Sequence, residues 1–375
     1  MKNKGISVIL RPSDVERESA FFTSLIHSSH PSFRNEGMIP ADLFPPRIQL
    51  ANTPTPLQKM ERLSRQAGVE IFFKRDDFTG SELSGNKVRK LEFILADALA
   101  KGADTVITCG GAQSNHCRAA ALAAVRAGLS SLLLLRTDDP ANPPALSGNI
   151  LLDRLAGSEI VWITPEQYRA RDDIFEREAH RLRSQGREPY IIPEGGSTAL
   201  GAWGYVAEME ELAADLRRLD GDDVKPTTVV CATGSGGTTA GLALGVRLTG
   251  ADIRVVGVNV CDDRDYFVAI IDAICRQFNG TWLAGKGSGI PPYEILDGYV
   301  GRGYALSQPE ELAALRNLVH LEGVVLDPVY TGKAYFGMMA ELAKNPKIFG
   351  DRIVFIHTGG LFGLFPIAEQ FADLV

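Results

Sequence analysis

The chain has 375 residues and a formal net charge of −7. A chain of this length can bury a large core and commonly divides into two lobes, and its acidic balance gives no basic footprint for nucleic acid. No apolar run approaches the roughly 20 residues of a membrane span. The N-terminal apolar run is too short for a secretory signal, and the five cysteines include no C-x-x-C pair, which predicts reduced thiols and a cytoplasmic location.

Short apolar runs alternate with helical patterns along most of the chain. The strand-like runs are 69–74, 105–109, 131–135, 159–163, 189–192, 228–232, 255–260 and 353–357. Strands that are separated by helices are typical of parallel sheets. The sequence therefore predicts an α/β fold.

The first segment that indicates chemistry runs from Ser84 to Phe93, directly after a glycine-containing loop. Lys87 stands near its start, and apolar residues follow at the spacing of one helix face. Most lysines are solvated surface residues. A lysine amine can also form a Schiff base with an aldehyde cofactor, so the rest of the chain must decide between the two roles.

A Gly-rich loop, 233–241, follows the apolar run 228–232 and precedes another helical pattern. A strand, a small-residue turn and a helix form a phosphate cradle, because the free N–H groups of the first helical turn point at the anion. A lysine in one segment and a phosphate cradle in another are what pyridoxal phosphate requires.

The same loop leaves another phosphate ligand open. It lacks the Gly-Lys-Ser/Thr ending of a nucleoside-triphosphate loop. A dinucleotide fingerprint fits loosely, and the acidic pair Asp262 and Asp263 follows the next apolar run, where a dinucleotide site needs an acidic residue. A nicotinamide-dependent dehydrogenase therefore stays open on this motif alone.

A third segment favours pyridoxal phosphate. The apolar run 106–109 leads into a turn with Ser114, Asn115 and His116, and an Ala-rich helical segment follows. A hydroxyl, an amide and free N–H groups at a helix N-terminus can hold a substrate carboxylate and a phenolic oxygen. Helix capping is the alternative role for Ser114 and Asn115.

Five blocks of the sequence resemble the family of D-cysteine desulfhydrases and 1-aminocyclopropane-1-carboxylate (ACC) deaminases. This family belongs to the tryptophan-synthase-β-like (fold type II) pyridoxal phosphate enzymes. The blocks are 84–92, 113–118, 233–241, 326–333 and 357–360. The resemblance implies two open, twisted, mostly parallel sheets flanked by helices, with the cofactor in a cleft between two lobes.

The resemblance also implies which residues bind the cofactor. They are Asn86, Lys87, Asn115, Gly234, Ser235, Gly236, Gly237, Thr238 and Thr358. Lys87 would form the Schiff base, Asn115 would hydrogen-bond the ring oxygen, and Thr358 would sit near the pyridine nitrogen. A hydroxyl there leaves the nitrogen largely unprotonated, which favours elimination over transamination.

The implied catalytic residues are Lys87, Ser114, Tyr304 and Tyr330. The implied substrate-binding residues are Ser114, Asn115, His116, Tyr304 and Tyr330. Lys87 would remove the Cα proton, or one of the tyrosines would do so if the substrate has the D configuration. The six histidines show no metal-ligand spacing, so no metal site is predicted.

Position 331 helps to choose a substrate within this family. The deaminases have a glutamate there, and this chain has Thr331, as the desulfhydrase pattern does. A neutral hydroxyl cannot stabilise a pyridinium as a carboxylate can. We therefore expect β-elimination, first of D-cysteine to pyruvate, sulfide and ammonia.

Three alternatives stay open: L-cysteate sulfo-lyase, ACC deaminase and a non-catalytic amino-acid-binding homologue. Ser84 and Ala305 stand where the family usually has glycine, and the segment 360–365 differs from the desulfhydrase ending. These departures predict a reshaped pocket.

The resemblance predicts an N-terminal arm at 1–45 and a small domain at 91–200. A large, discontinuous cofactor-binding domain would combine 46–90 with 201–375. It also implies a homodimer that acts on a small amino acid.

Overall fold

Ten strands form two separate sheets in the computed structural model, which describes residues 38–283 and 289–372. The strands are β1 (Leu57–Lys59), β2 (Glu70–Lys74), β3 (Thr105–Gly111), β4 (Ser130–Arg136), β5 (Glu159–Ile163), β6 (Pro189–Ile191), β7 (Thr227–Thr233), β8 (Ile253–Asn259), β9 (Glu294–Leu296) and β10 (Arg352–Ile356). Most of the predicted N-terminal arm, 1–37, lies outside the described residues.

Helices separate most of these strands. They are α1 (Glu61–Ala67), α2 (Asn86–Ala100), α3 (Asn115–Arg126), α4 (Gly148–Leu155), α5 (Pro165–Arg169), α6 (Arg171–Ser184), α7 (Ala199–Asp220), α8 (Gly237–Thr249), α9 (Arg264–Trp282), α10 (Pro309–Glu322) and α11 (Thr331–Lys344). Short 3-10 helices occupy Ala41–Leu43, Asp76–Phe78, Glu194–Gly196, Leu361–Gly363 and Phe365–Phe371. None of the described helices is long and apolar enough to cross a membrane.

The larger sheet has the strand order β1-β2-β10-β7-β8-β9, and only the β1–β2 pair is antiparallel. Successive side chains of its strands enter different cores. Phe72, Val229 and Val354 pack with residues of α7, whereas the alternate positions pack with α10 and α11. Because both faces are covered, these strands are continuously apolar.

The smaller sheet has the order β5-β4-β3-β6 and is wholly parallel. Leu132 and Leu134 pack with residues of α6, and Leu133 and Leu135 pack with residues of α3. Two mostly parallel sheets flanked by helices confirm the predicted fold class. All five cysteines are buried and none forms a disulfide.

The predicted domain limits stay a prediction. Every strand of the smaller sheet lies between residues 105 and 191, inside the proposed small domain. The helices α2 and α7 run across residues 90 and 200, so each proposed limit falls inside a helix.

A buried ionic cluster fixes the start of α2. The guanidinium of Arg89 donates to Asp76 at 2.8 and 3.0 Å and to Glu211 of α7 at 3.0 Å. The ammonium of Lys74, at the end of β2, donates to Asp215 of α7 at 2.7 Å and also to Glu211. The cluster therefore joins α2, the end of β2 and α7 around paired charges.

Replacing Arg89 by leucine should lower the free energy of unfolding by about 3–5 kcal/mol, because it leaves the buried Asp76 without its cation. Urea titration measures the change. Arg169→Leu is the matched control, since its partner Glu166 is exposed and such pairs contribute little. Equal stability of the two variants would show that the cluster does not hold the fold.

Candidate active site

Nearly all of the predicted site residues line one cavity. It is lined by residues from the carboxyl ends of strands in both sheets, where α/β folds bind ligands. Its empty volume is about 670 Å³, including space open to solvent. The predicted residues that line it are Asn86, Lys87, Ser114, Asn115, His116, Gly234, Ser235, Gly236, Thr238, Tyr304, Tyr330 and Thr358. Of the predicted set, only Gly237 does not line it.

The turn that carries Lys87 is held on two sides. Gly85 has a φ of 94°, and a side chain there would bring its first carbon to 2.7 Å from the carbonyl oxygen of Thr358. The N–H of Asn86 donates to that carbonyl at 3.1 Å, and its amide nitrogen donates to the hydroxyl of Thr238 at 3.1 Å. The lysine is thereby tied both to residue 358 and to the Gly-rich loop.

The Lys87 amine is half-buried and donates to the side-chain oxygen of Asn86 at 3.1 Å. Burial lowers its pKa to about 8, although the nearby carboxylate of Asp327 opposes the change. A much larger share of this amine is therefore neutral near physiological pH than for an ordinary lysine, although most of it is still protonated there. A nucleophile or base must be neutral.

The Gly-rich loop has the geometry of an anion site. Gly236 has a φ of 78° and precedes Gly237, the first residue of α8. The first N–H groups of a helix have no partners within the helix and attract anions. The N–H of Gly237 donates to the hydroxyl of Ser197 at 3.2 Å, and that hydroxyl donates to Ser235 at 2.9 Å. Gly237 therefore lies behind the cavity and braces the loop.

Lys90 lies against this loop and was not predicted as a site residue. It is buried, and its amine donates to the carbonyl of Gly195 at 3.3 Å. A side-chain carbon built on Gly237 would lie 2.9 Å from this amine. Burial and the charge of Lys87 hold its pKa well below the usual value. A phosphate on the loop would supply the missing counter-charge, so the residues present fit that group.

Asn115 is oriented by a residue from another helix. Its side-chain oxygen accepts from the buried Asn149 at 2.9 Å, which directs its amide nitrogen away from α4. Asn149 also donates to the carbonyl of Gln113 at 2.9 Å. Ser114 has the capping role as well, because its hydroxyl accepts from the N–H of Cys117 at 3.2 Å.

His116 lines the cavity as a neutral imidazole rather than as a charged group. Its Nε2 lies 2.8 Å from the hydroxyl of Thr108, which itself donates to the carbonyl of Ile192 at 2.8 Å. Nε2 must then carry the proton. Nδ1 is buried and has no hydrogen-bond partner among the described residues. Burial and the nearby lysines hold the pKa of His116 well below its usual value.

Tyr304 and Tyr330 form a hydrogen-bonded pair, with 2.7 Å between their hydroxyl oxygens. Burial raises the pKa of Tyr304 to about 12 and that of Tyr330 well above its usual value. Both phenols are protonated at neutral pH. Asp327, which was not predicted, places Tyr330 by accepting from its N–H at 2.8 Å.

The Thr331 side chain is bound to Asp327 rather than exposed to the cavity. Its hydroxyl donates to Asp327 at 2.6 Å and is fully buried, and the residue does not line the cavity. The hydroxyl completes the turn that starts α11. Position 331 is therefore a weaker guide to the substrate than the sequence indicated.

The three sequence departures have structural counterparts. Ala305 has a φ of 59°, a conformation that favours glycine. The carbonyl of Ser84 accepts from Arg118 at 3.1 Å. In the segment 360–365, the ring of Phe362 lies 5.2 Å from the guanidinium carbon of the same arginine. Both contacts brace the turns that carry Lys87 and Asn115.

A lysine of lowered pKa, an anion loop with a second buried lysine and a pair of phenols define the site of a pyridoxal phosphate enzyme. The model of the family "Pyridoxal-phosphate dependent enzyme" matches residues 48–359. The chain belongs to this family. The predicted cofactor is thereby confirmed, and the nicotinamide alternative falls.

Relatives named for particular activities indicate which branch of the family the chain resembles. The chain is 42% identical to the bifunctional D-cysteine desulfhydrase/1-aminocyclopropane-1-carboxylate deaminase of Arabidopsis thaliana, over 88% of this chain and 81% of that protein. It is 40% identical to the D-cysteine desulfhydrase of Salmonella newport, over 85% and 95%. These relatives confirm the family resemblance.

Solved structures agree with this assignment. The crystal structure of an ACC deaminase homologue is 37% identical and superposes with a TM-score of 0.78 over 88% of this chain and 97% of that one. An L-serine ammonia-lyase from Rhizomucor miehei, 16% identical with a TM-score of 0.62 over 87% and 99%, shares the fold. No group of metal-ligating side chains occurs among the described residues.

The lowered pKa of Lys87 predicts how cofactor attachment depends on pH. Only the neutral amine attacks an aldehyde, so the rate of attachment should rise with pH and level off above about 8. The visible absorbance that grows when pyridoxal phosphate is added to stripped protein measures this rate. A free lysine derivative is the control, and its rate should keep rising to about pH 10. The same midpoint for both would contradict the burial of Lys87.

A negative charge in the Gly-rich loop should expel the cofactor. Gly236→Asp and Gly236→Asn have similar shapes and tolerate the left-handed backbone to similar degrees, but only aspartate repels a phosphate. Asp should raise the dissociation constant of the cofactor at least about tenfold more than Asn. Gly250→Asp, at a φ of 65° in open space, controls for backbone strain. Equal affinities of the two Gly236 variants would place the phosphate elsewhere.

Proposed function

We propose that the protein catalyses deaminating β-elimination from a small β-substituted amino acid, with D-cysteine as the first substrate. The products are pyruvate, sulfide and ammonia. One observation carries the proposal: a single cavity holds an amine whose pKa is lowered to about 8 and two phenols that stay protonated. Elimination needs a group that takes a proton from Cα and a group that gives one to the leaving atom.

Pyridoxal phosphate, when bound, delocalises the negative charge that develops at Cα. Asn86, Lys87, Asn115, Thr358 and the loop 234–238 would hold it. Lys90 behind the loop would balance the phosphate charge, which explains a fully buried lysine with one long hydrogen bond.

The start of α3 would bind the substrate carboxylate. Ser114 caps this helix and Asn115 is its first residue, and both line the cavity. The helix dipole and free N–H groups favour an anion there. Asn149 fixes the amide of Asn115, so its two N–H donors would be available to a ligand with little loss of side-chain entropy.

The Lys87 amine is a better proton acceptor than the phenols of Tyr304 and Tyr330. Its amine is neutral at a pH where both tyrosines still hold their protons. The amine would therefore take the Cα proton even from D-cysteine, in place of the tyrosine base that the D configuration suggested. Tyr304 or Tyr330 would donate to the leaving sulfur. The hydrogen bond between the phenols lets one tyrosine replace the proton that the other has lost.

ACC deamination is the second candidate. The relative from Arabidopsis thaliana is named for both activities, and a lysine and a tyrosine pair of this kind would serve either reaction. L-Cysteate is a further candidate substrate, with sulfite as the leaving group. A homodimer, a cytoplasmic location and the division into domains at residues 90 and 200 complete the proposal.

Product analysis tests the proposed function. D-Cysteine, L-cysteine, D-serine and ACC are supplied in turn, and pyruvate, 2-oxobutyrate and sulfide are measured. We expect equal amounts of pyruvate and sulfide from D-cysteine. Formation of 2-oxobutyrate from ACC without any β-elimination would overturn the first candidate and establish the second.

Variants locate the chemistry. Lys87→Ala should abolish pyruvate formation, and Tyr330→Phe should lower kcat about 10²-fold or more, because a positioned acid contributes that much. Cofactor absorbance should remain unchanged in Tyr330→Phe. Tyr299→Phe is the control, since its hydroxyl bonds to Glu341 outside the cavity. Similar kcat values for the two tyrosine variants would exclude Tyr330 as a proton donor.

A further inference from the structure

A second cavity adjoins the first and opens toward solvent. The two share Glu194, Gly234, Ser235 and Tyr304. We call the second one the outer cavity; its lining also includes Arg136, Tyr168, Arg171 and residues of α9. These four shared residues separate the position of Lys87 from the outer cavity.

Arg136 lines the outer cavity and contacts Tyr304, which lines both cavities. It is the last residue of β4, opposite Gly111 of β3 in the sheet register. The ring of Tyr304 packs on Gly111, where a side-chain carbon would come within 3.2 Å of it. The guanidinium carbon of Arg136 lies 5.1 Å from the centre of the Tyr304 ring and 4.7 Å from that of Tyr168.

The guanidinium of Arg136 has ring contacts but makes no hydrogen bond or ion pair with any residue between 38–283 or 289–372. The side chain is nevertheless half-buried. An arginine offers five N–H donors. Arg136 therefore carries donors that the described chain does not use.

The two other arginines that line the outer cavity form ion pairs with glutamates. Arg171 pairs with Glu194 at 3.6 Å, and Arg169 pairs with Glu166 at 3.4 Å. Asp172 and Asp262 line the outer cavity but are exposed. Arg136 is thus the cation of this cavity that has no carboxylate partner in the described part of the chain.

The two rings hold the guanidinium in a fixed place. Cation–π contacts engage its face and leave the N–H donors at its edge available. A guanidinium group binds an oxyanion better than it binds a neutral thiol, because it can donate two parallel charge-assisted hydrogen bonds to the oxyanion. Its position beside Tyr304 puts it on the side of the cavity where the leaving group would depart.

We propose that Arg136 determines specificity by binding a substrate group at the β-carbon that is an oxyanion, a sulfonate above all. The inference rests on the proposed β-elimination and adds a substrate class to it. With cysteate, the Cβ–S bond would break and its electron pair would leave with sulfur as sulfite. Cysteate and water then give pyruvate, ammonium and hydrogensulfite, and no oxidant or reductant is required.

Binding measures this role without turnover. The holoenzyme is titrated by calorimetry with 3-sulfopropanoate, which has the carboxylate and sulfonate of cysteate but no amine, and with butanoate, which lacks the sulfonate. Arg136→Gln should raise the dissociation constant of 3-sulfopropanoate at least about tenfold, as expected for lost charge-assisted hydrogen bonds. The dissociation constant of butanoate should rise less than about threefold. For Arg136→Lys, the dissociation constant of 3-sulfopropanoate should lie between those of the unmodified protein and Arg136→Gln. Lysine keeps the positive charge but cannot donate two parallel hydrogen bonds.

Turnover separates the two proposals. Pyruvate is measured with both enantiomers of cysteate and with β-chloroalanine, whose β-substituent is neutral. Arg136→Gln should lower kcat/KM for cysteate at least about tenfold and for β-chloroalanine less than about threefold. Arg169→Gln, in the same outer cavity, should change neither.

An equal loss with charged and neutral ligands would overturn the inference, because Arg136 would then act on the shared carboxylate or on the ionisation of Tyr304. No loss with either would also overturn it. Absence of pyruvate from every substrate would defeat the proposed elimination, while selective binding of 3-sulfopropanoate would still support the anion site.

Discussion

The buried ionic cluster around Arg89 holds the helix on which the site depends. The same first turn of α2 presents Lys87 to the cavity and Arg89 to the charges of Asp76 and Glu211 on the opposite side. A buried arginine is stable only while it is paired. The rotation of the helix about its axis is therefore fixed, and with it the direction in which the lysine points.

Burial also explains the chemistry of the cavity. The loss of solvent disfavours charge, so it lowers the pKa of Lys87 and raises the pKa values of Tyr304 and Tyr330. One physical cause thus leaves a neutral base and neutral acids together. The pKa of the buried Lys90 is lowered for the same reason, and an anion on the adjacent loop would raise it again.

The sequence predicted the central strands because burial on both faces makes them continuous apolar runs, and each of the eight runs contains a strand. It missed β1 and β9, which are three-residue edge strands without such a pattern. Motifs identified most of the residues that line the cavity, but Glu194 and Gly195 lie outside every motif. Lys90, Asn149 and Asp327 were missed, since they act through contacts between distant segments that no local pattern encodes.

Peptide mapping of the holoenzyme after borohydride reduction tests the central claim most directly, because reduction makes the attachment of the cofactor permanent. Lys87 lines the cavity, and Lys90, one turn further along the same helix, lies behind the Gly-rich loop. The account predicts that the mass of the reduced cofactor lies on Lys87 and that Lys90 is unmodified. Cofactor on Lys90, or on a lysine outside this helix, would contradict it.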